Sequence, residues 1–213
     1  MDLQLLEIAM VNLKDGIEPT GQRLITIFRT CIEELAKAGG KHFRFVSSSP
    51  TNHLEKPIIT IIGIWPTAEL HAAFLAGGAL LHLMASLQGL ITMRQVVYLR
   101  VPNPTPAQEK ILEGDFYTAL FYVGPREHDE VDGIVKDVIK ESGFVTGWNT
   151  TQGENFQQSE DFRRGRLEQD KSDVQNDGIW SILLPRENSE VIDELKGKTA
   201  GKFERVEVLA WVV

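Results

Sequence analysis

The sequence predicts an α+β fold in which two βαββαβ units follow one another along the chain and pack sheet against sheet. Two observations indicate this fold. The same order of strand and helix patterns occurs twice, with a period of about 100 residues and little identity between the copies. Several predicted strands are apolar on both faces, as strands are when helices cover one face of a sheet and a second sheet covers the other.

The first unit, 1–101, begins with a segment too apolar for a one-sided strand, followed by a helix whose apolar residues recur every three or four positions. A half-buried strand, a polar loop, a β-branched strand and a helix interrupted by two glycines come next, and a fourth strand ends the unit. The predicted strands are Leu3–Val11, Lys41–Val46, Pro57–Trp65 and Thr92–Val101, and the predicted helices are Pro19–Ala38, Ala68–Ala76 and Ala79–Leu87.

Three closely spaced prolines then predict a stiff, Pro-rich linker over 102–114. The second unit, 115–213, repeats the order β-α-β-β-α-β but carries a polar insertion at 150–177, whose length is typical of a lid or another functional loop. The predicted strands are Asp115–Val123, Phe144–Trp148, Gly178–Leu184 and Arg205–Val213, and the predicted helices are Glu127–Ser142 and Asn188–Lys196.

The composition is that of an ordinary globular protein, with 42% hydrophobic and 24% charged residues. The single cysteine, Cys31, allows no intrachain disulfide and fits a reducing compartment. The first residues lack the features of a secretory signal, and no run approaches the roughly 18 apolar residues of a membrane span. A net charge of −8 without a dominant basic cluster argues against nucleic acid and membrane surfaces as partners. We therefore expect a cytoplasmic protein.

One local pattern adds to the repeated strand order. The segment Gly63-Ile64-Trp65-Pro66-Thr67-Ala68-Glu69-Leu70-His71-Ala72-Ala73-Phe74 reads as a strand ending in Trp, a short turn, and a helix carrying His and Phe. The repeated strand order and this segment together resemble the dimeric α+β barrel superfamily, which includes antibiotic-biosynthesis monooxygenase-like and stress-responsive barrel families. The resemblance covers nearly the whole chain and implies two tandem ferredoxin-like βαββαβ units packed as a pseudo-dimeric α+β barrel. Related families include cofactor-free monooxygenases, haem-degrading enzymes, polyketide cyclases and small decarboxylases, so the fold does not fix the function.

His71 and Glu7 are the candidate catalytic residues. His71 lies at the edge of a helix's apolar stripe and is either a general base or ligand at the barrel mouth, or a boundary histidine bonded to backbone. Glu7 lies in an otherwise nearly apolar strand, where a carboxylate must be paired, hydrogen-bonded or protonated. It is either a cavity-lining general base with a raised pKa, a partner of Arg94 or Arg100, or a residue at the sheet rim.

Five further residues are candidates for substrate binding. Trp65, Tyr98 and Trp148 supply aromatic surface on predicted strands; such residues line apolar ligand cavities, although most strand aromatics belong to the core. His82 lies beside the apolar stripe of its helix, where an exposed or interfacial histidine is the simpler interpretation. Arg44 shares a strand face with a histidine and could bind a common acid, but a solvated edge strand explains both residues equally well.

The sequence contains no motif for a particular reaction: it has no phosphate-binding glycine loop, no zinc-type Cys or His spacing and no Gly-x-Ser-x-Gly elbow. The first hypothesis is a cofactor-independent enzyme of small-molecule (natural-product) metabolism that cyclises, isomerises or otherwise rearranges an apolar oxygenated substrate in the barrel cavity. The second is a monooxygenase or haem-handling enzyme, since any helix histidine is able to bind haem. The third is a non-catalytic small-molecule-binding or stress-associated barrel. No metal site is expected.

The tandem arrangement also predicts how the chain assembles. Because the second half takes the place that a second chain has in single-repeat relatives, a monomer should be viable, while a homodimer through outer surfaces stays possible. The first half keeps the candidate polar residues, and the second half carries the insertion. We therefore expect the first half to supply the chemistry and the second half to cover the cavity.

Overall fold

The computed structural model of the chain describes residues 4–48, 58–114, 116–123, 128–139, 144–147, 178–185, 188–198 and 205–211. Every element predicted for the first half is present, and its ends agree with the prediction to within three residues. The elements are β1 (Gln4–Leu13), α1 (Gln22–Lys37), β2 (Lys41–Ser48), β3 (Ile58–Trp65), α2 (Ala68–Ala76), α3 (Gly78–Leu87) and β4 (Ile91–Val101).

The second half repeats the same order of elements, again with ends within three residues of the prediction. The predicted insertion at 150–177 lies outside the described residues. The elements of this half are β5 (Phe116–Val123), α5 (His128–Ile139), β6 (Phe144–Gly147), β7 (Gly178–Pro185), α6 (Ser189–Lys198) and β8 (Arg205–Trp211), and α4 (Pro106–Glu113) precedes them.

The eight strands form one sheet in the order β4-β1-β3-β2-β8-β5-β7-β6, and every pairing is antiparallel. Each half therefore has the ferredoxin-like strand order, and the two halves run in the same sense along the sheet. β2 joins them by pairing with β8, and β4 approaches β6 at the opposite ends of the order. The predicted tandem of ferredoxin-like halves, packed as a pseudo-dimeric α+β barrel, is confirmed.

β1 is buried on both faces, as its apolar sequence predicts. Odd-numbered residues such as Leu5 and Val11 belong to an apolar cluster shared with α1, α2 and α3. Even-numbered residues such as Leu6 and Ile8 belong to a second cluster that reaches Leu183 on β7, in the other half. The second cluster fills the barrel interior, and the first lies between the sheet and the helices of the first half.

α2 and α3 form a bent cover over the helix side of this sheet. α2 begins where the sequence predicts, because the Thr67 side chain accepts a hydrogen bond from the Leu70 N–H at 3.2 Å, as helix N-caps do. Gly77 has an extended backbone, and the two helices meet there at a bend of 66°. In the part of the chain that the structure describes, no single helix is long and apolar enough to span a membrane, and this bent pair passes such a test by length and composition only.

The segment predicted as a linker, 102–114, contains the short helix α4. Pro106 occupies its first position, where a missing N–H removes no helical hydrogen bond. Thr105 and Gln108 form a capping box, in which the Thr105 N–H donates to Gln108 Oε1 at 2.9 Å. Leu112 packs into the barrel interior. The segment thus contributes to the core in addition to joining the two halves.

Candidate functional site

Glu7 is the only charged residue of β1, and it lies on the helix side of the sheet. Alternate residues of a strand point to the same face of a sheet, so Glu7 lies on the same face as Leu5 and Val11, whose side chains pack against the helices. Its register partners are Gly63 on β3 and Tyr98 on β4, so Glu7 occupies the middle of three strands and not the sheet rim. The expectation of an active cavity inside the barrel is therefore wrong for Glu7, because the barrel interior is on the opposite face of the sheet.

The Glu7 carboxyl group is held by the indole of Trp65. Nε1 of Trp65 donates a hydrogen bond to Oε2 of Glu7 at 2.6 Å, and the Trp65 side chain is fully buried. Phe43 packs edge-on against Trp65 with ring centroids 5.4 Å apart, and it lies over Gly63, where a Cβ would overlap the Phe43 ring. Trp65, a predicted substrate-binding residue, thus orients Glu7 from within the core.

His71 is fully buried and lies behind Glu7. Its Nε2 is 3.7 Å from Oε2 of Glu7, and its ring centroid lies 5.3 Å from that of Trp65 and 4.8 Å from that of Tyr98. Burial lowers the pKa of His71 to about 4, so the imidazole is neutral near neutral pH. His71 does not point toward the barrel mouth, because α2 packs on the other face of the sheet.

Two opposing effects set the protonation of Glu7. Burial raises its pKa and the hydrogen bond from Trp65 lowers it; burial has the larger effect, so the pKa rises from 4.5 to about 7. The Glu7 side chain keeps 16% of its surface exposed, so the carboxyl group is within reach of a bound molecule. Both protonation states are populated near neutral pH, which is the condition under which a carboxyl group serves best as a general acid or base.

A cavity lies beside Glu7, between the sheet and the helices of the first half. The cavity has a volume of about 70 Å³, and the space free of protein atoms is about 650 Å³ when the region continuous with solvent is included. Glu7 and Tyr98 are the oxygen-bearing side chains of its wall. The wall otherwise consists of aliphatic, aromatic and sulfur-bearing residues, among them Cys31, Leu35, Phe43, Phe45, Phe74, Leu83, Met84 and Leu87.

Some of the predicted substrate-binding residues lie elsewhere. His82 is exposed on α3 and does not line the cavity, which agrees with its simpler interpretation. Arg44 lies on the same face of β2 as Val46, which belongs to the barrel interior. Its Nη1 donates a hydrogen bond to the Phe43 carbonyl oxygen at 2.9 Å. Neither residue lines this cavity, because their side chains leave their elements on other faces, and substrate binding by either one stays a prediction. Trp148 lies outside the described residues.

Cys31 lines the cavity, although sequence reasoning gave it no role in a site. It lies on α1, within the apolar stripe that predicts the core face of this helix. Burial raises the pKa of its thiol to about 12, so the group is neutral and adds little polarity to the wall. No sequence signal separates a cavity wall of this kind from ordinary core, since both require the same apolar stripe.

Haem is the cofactor that the resemblance leaves open, and the residues of the first-half cavity do not fit it. His42, His71 and His82 are absent from the cavity wall. Cys31 and Tyr98 do line it, but burial raises the pKa of both groups and disfavours the thiolate or phenolate that binds haem iron. Among the described residues, no group of three His, Cys, Asp or Glu side chains is placed to hold a metal ion.

No family model and no curated protein match the chain, but solved structures match it over nearly its whole length. A putative monooxygenase from Fusobacterium nucleatum is 8% identical, and the match covers 98% of this chain and 91% of that one with a TM-score of 0.58. A putative chlorite dismutase is 11% identical, with 99% and 95% covered and a TM-score of 0.58. A chlorite dismutase variant from Candidatus Nitrospira defluvii is 10% identical, with 99% and 92% covered and a TM-score of 0.51. At these identities the likeness establishes the fold.

Proposed function

We propose that the chain, which has the tandem α+β barrel fold of these chlorite dismutase and monooxygenase structures, is a cofactor-independent enzyme. In the proposed reaction, Glu7 removes a proton from an apolar, oxygenated small molecule. The observation that carries the proposal is a buried carboxyl group with a pKa of about 7 in the wall of an otherwise largely apolar cavity. Such a group in a cleft is a candidate functional site on physical grounds.

Three neighbours give Glu7 a defined position. Trp65 holds Oε2, so Oε1 is the oxygen offered to the substrate. His71 fills the space behind the carboxyl group as a neutral imidazole and adds no positive charge that would lower the basicity of Glu7. Phe74 on α2 packs on Trp65 with ring centroids 5.2 Å apart, and α2 and α3 shield the site from water. We regard Trp65 and His71 as positioning residues, because neither lines the cavity.

The proposed reaction begins with a single proton transfer. The Glu7 carboxylate takes a proton from an acidic C–H or O–H bond of the substrate, and the electron pair of that bond stays on the substrate as an enolate or phenolate. Return of the proton to a different atom completes an isomerisation, and attack of the new nucleophile within the same molecule completes a cyclisation. A positioned general base contributes about 10²- to 10⁴-fold to such a step.

A reaction that requires only a base in an apolar site tests this function without knowledge of the natural substrate. The probe is 5-nitrobenzisoxazole, whose ring opens to a coloured phenolate when its C–H proton is removed. We expect kcat/KM for the wild-type chain to rise with pH through about 7. Glu7→Gln should lower it by at least about 100-fold. Glu69→Gln, on the exposed side of α2, is the matched control and should leave it unchanged. Equal rates for wild type and Glu7→Gln would exclude Glu7 as the base.

A monooxygenase is the second candidate, favoured by the full-length likeness in fold to the Fusobacterium protein. In this case the anion made by Glu7 reacts with O₂ and not with a second site in the same molecule. Its electrons pass to O₂, a C–O bond forms, and the resulting hydroperoxide loses water to leave a new carbonyl group on the substrate. Oxygen uptake in the presence of 1-naphthol distinguishes the two candidates. Uptake that is lost in Glu7→Gln favours the oxygenase, and uptake equal to that of a protein-free solution counts against it.

The third hypothesis, a binding protein without activity, gives a different result in the same experiments. Saturable binding of 1-naphthol with no turnover of either probe would favour it over both enzymes. The expectations of a viable monomer and of an apolar small-molecule partner remain proposals. Sedimentation in which each half pairs across two chains, with no monomer at low concentration, would contradict the first of these.

A further inference from the structure

Tyr98 faces the same cavity as Glu7 and is its direct neighbour across the sheet. The two residues are register partners in the antiparallel pair of β1 and β4, so both side chains leave the same face. Directly opposed residues of this kind have Cβ atoms about 4.5–5.5 Å apart. Both residues line the cavity. A molecule that touches the Glu7 carboxyl group therefore lies next to the Tyr98 ring and its hydroxyl group.

Tyr98 is kept as a hydroxyl group by its surroundings. Burial and the neighbouring charge of Glu7 both raise its pKa above the ordinary value of 10, so Tyr98 retains its proton throughout the range in which Glu7 titrates. The ring is 8% exposed and packs against the buried ring of His71, with centroids 4.8 Å apart. The hydroxyl group is thus a hydrogen-bond donor on a side chain fixed by packing, next to a base.

Among the described residues, the rest of the cavity wall gives no competing polar contact of similar strength. Besides Glu7 and Tyr98, the heteroatoms of its side chains are the sulfur atoms of Cys31, Met84 and Met93. Sulfur is a weak hydrogen-bonding atom. A ligand that fills this cavity therefore meets one proton acceptor and one adjacent strong donor, and its remaining surface meets apolar groups.

We propose that the substrate is an apolar ketone or aldehyde, with its carbonyl oxygen held by the Tyr98 hydroxyl group and its α-carbon facing Glu7. Glu7 takes the α-proton, the C–H electron pair forms the C=C bond of an enolate, and the carbonyl π pair becomes the negative charge on oxygen. That oxygen accepts a stronger hydrogen bond from Tyr98 than the neutral carbonyl does, so Tyr98 stabilises the transition state more than the bound substrate. The inference rests on the proposed function of Glu7 and adds the substrate class and a second catalytic residue.

Hydrogen–deuterium exchange at the α-carbon of simple ketones tests this pair directly. The probes are cyclopentanone, cyclohexanone and 2-tetralone, which cover a range of sizes, and exchange in D₂O is followed by proton NMR with the full chain. We expect wild type to accelerate exchange of at least one of them. Tyr98→Phe, which keeps the ring, should slow the enzymatic exchange by about 10- to 1,000-fold, in line with removal of one oxyanion donor. Tyr117→Phe is the matched control, because β5 pairs with β7 and β8 and not with β1.

The outcomes separate this inference from the function on which it rests. Loss of exchange in Glu7→Gln together with wild-type exchange in Tyr98→Phe leaves Glu7 as the base and overturns the role of Tyr98. Wild-type exchange in Glu7→Gln overturns both proposals. No acceleration of any of the three ketones by wild type, with 5-nitrobenzisoxazole still opened in a Glu7-dependent way, overturns the carbonyl substrate class alone. Unfolding midpoints of both variants at or above that of wild type show that a loss of exchange is chemical.

Discussion

Replacement of Glu7 by Gln should make the chain more stable at alkaline pH, and the size of this effect follows from the burial of the carboxyl group. Glu7 has a pKa of about 7 in the folded chain and about 4.5 when unfolded, so the folded state binds the proton more tightly. Its contribution to stability is complete below pH 4.5 and is lost as the pH rises through about 7. At about 1.4 kcal/mol for each pH unit, that interval corresponds to about 3 kcal/mol.

The Glu7→Gln change isolates this contribution because it keeps the shape of the side chain and an oxygen that accepts from Trp65. The comparison with wild type is necessary, since His71 changes in the opposite sense. Its pKa is about 4 in the fold against 6.5 ordinarily, so its contribution grows as the pH rises from about 4 to 6.5. In wild type the two effects largely offset each other between pH 4.5 and 6.5, but the effect of His71 is common to both proteins and cancels in their difference.

Denaturant unfolding at a series of pH values between 4.5 and 8 provides the measurement. The free energy of unfolding of Glu7→Gln relative to wild type should rise by about 3 kcal/mol across this range, with its midpoint between the two pKa values of Glu7. Glu69→Gln is the control, because hydrogen bonds at the start of α2 lower the pKa of Glu69 below 4.5, so its free energy of unfolding relative to wild type should vary little across this range. A difference that does not vary with pH would refute the raised pKa and, with it, the physical basis of the proposed site.

Three further predictions concern residues on the helix side of the sheet. Trp65→Phe removes a charge-assisted hydrogen bond worth about 1.5–3 kcal/mol, so the pKa of Glu7 should rise from about 7 to about 8 or 9, measured by NMR with carbon-13-labelled glutamate. Gly63→Ala places a Cβ against the Phe43 ring and should cost about 1–3 kcal/mol in denaturant unfolding, with Phe43 displaced toward the cavity in a crystal structure. Phe28→Ala empties a fully buried site on α1 whose ring stacks at 3.8 Å on an aromatic ring of β2, and should cost about 3–5 kcal/mol.

The fold was predictable because each element has its own local signal. Apolar runs, helical stripes and the glycines and prolines between them place the strands and helices that the structure describes in the two halves, and the repeat of their order gives the tandem. Among the elements that the structure describes, only α4 was missed, and it begins in a segment where three prolines suggested a stiff linker. Pro106 in fact stands at the one helical position that tolerates proline well, and the Thr105–Gln108 capping box was the signal that could have revealed it.

The site was only partly predictable because its contacts join distant parts of the chain. Glu7 stood out as a charge within an apolar strand, but a strand that is apolar on both faces carries no pattern that says which face the charge is on. The Trp65 hydrogen bond spans 58 positions in sequence and depends on strand register. The sequence placed both His71 and His82 beside the apolar stripe of a helix, but it did not show that the packing of α2 buries the first completely while the second is exposed on α3.

Glu7 has no acidic counterpart on β5, the first strand of the second half, whose sequence Phe116–Val123 contains no charged residue. A barrel built from two identical chains carries each side chain twice, in symmetric copies. In a single chain the two halves can differ in sequence. The covalent connection holds them at an effective concentration in the millimolar range, so the three residue pairs between β2 and β8 can stay formed although only the first half carries the base. We therefore expect one Glu7 carboxyl group titrating near pH 7, and one bound ligand, for each complete barrel.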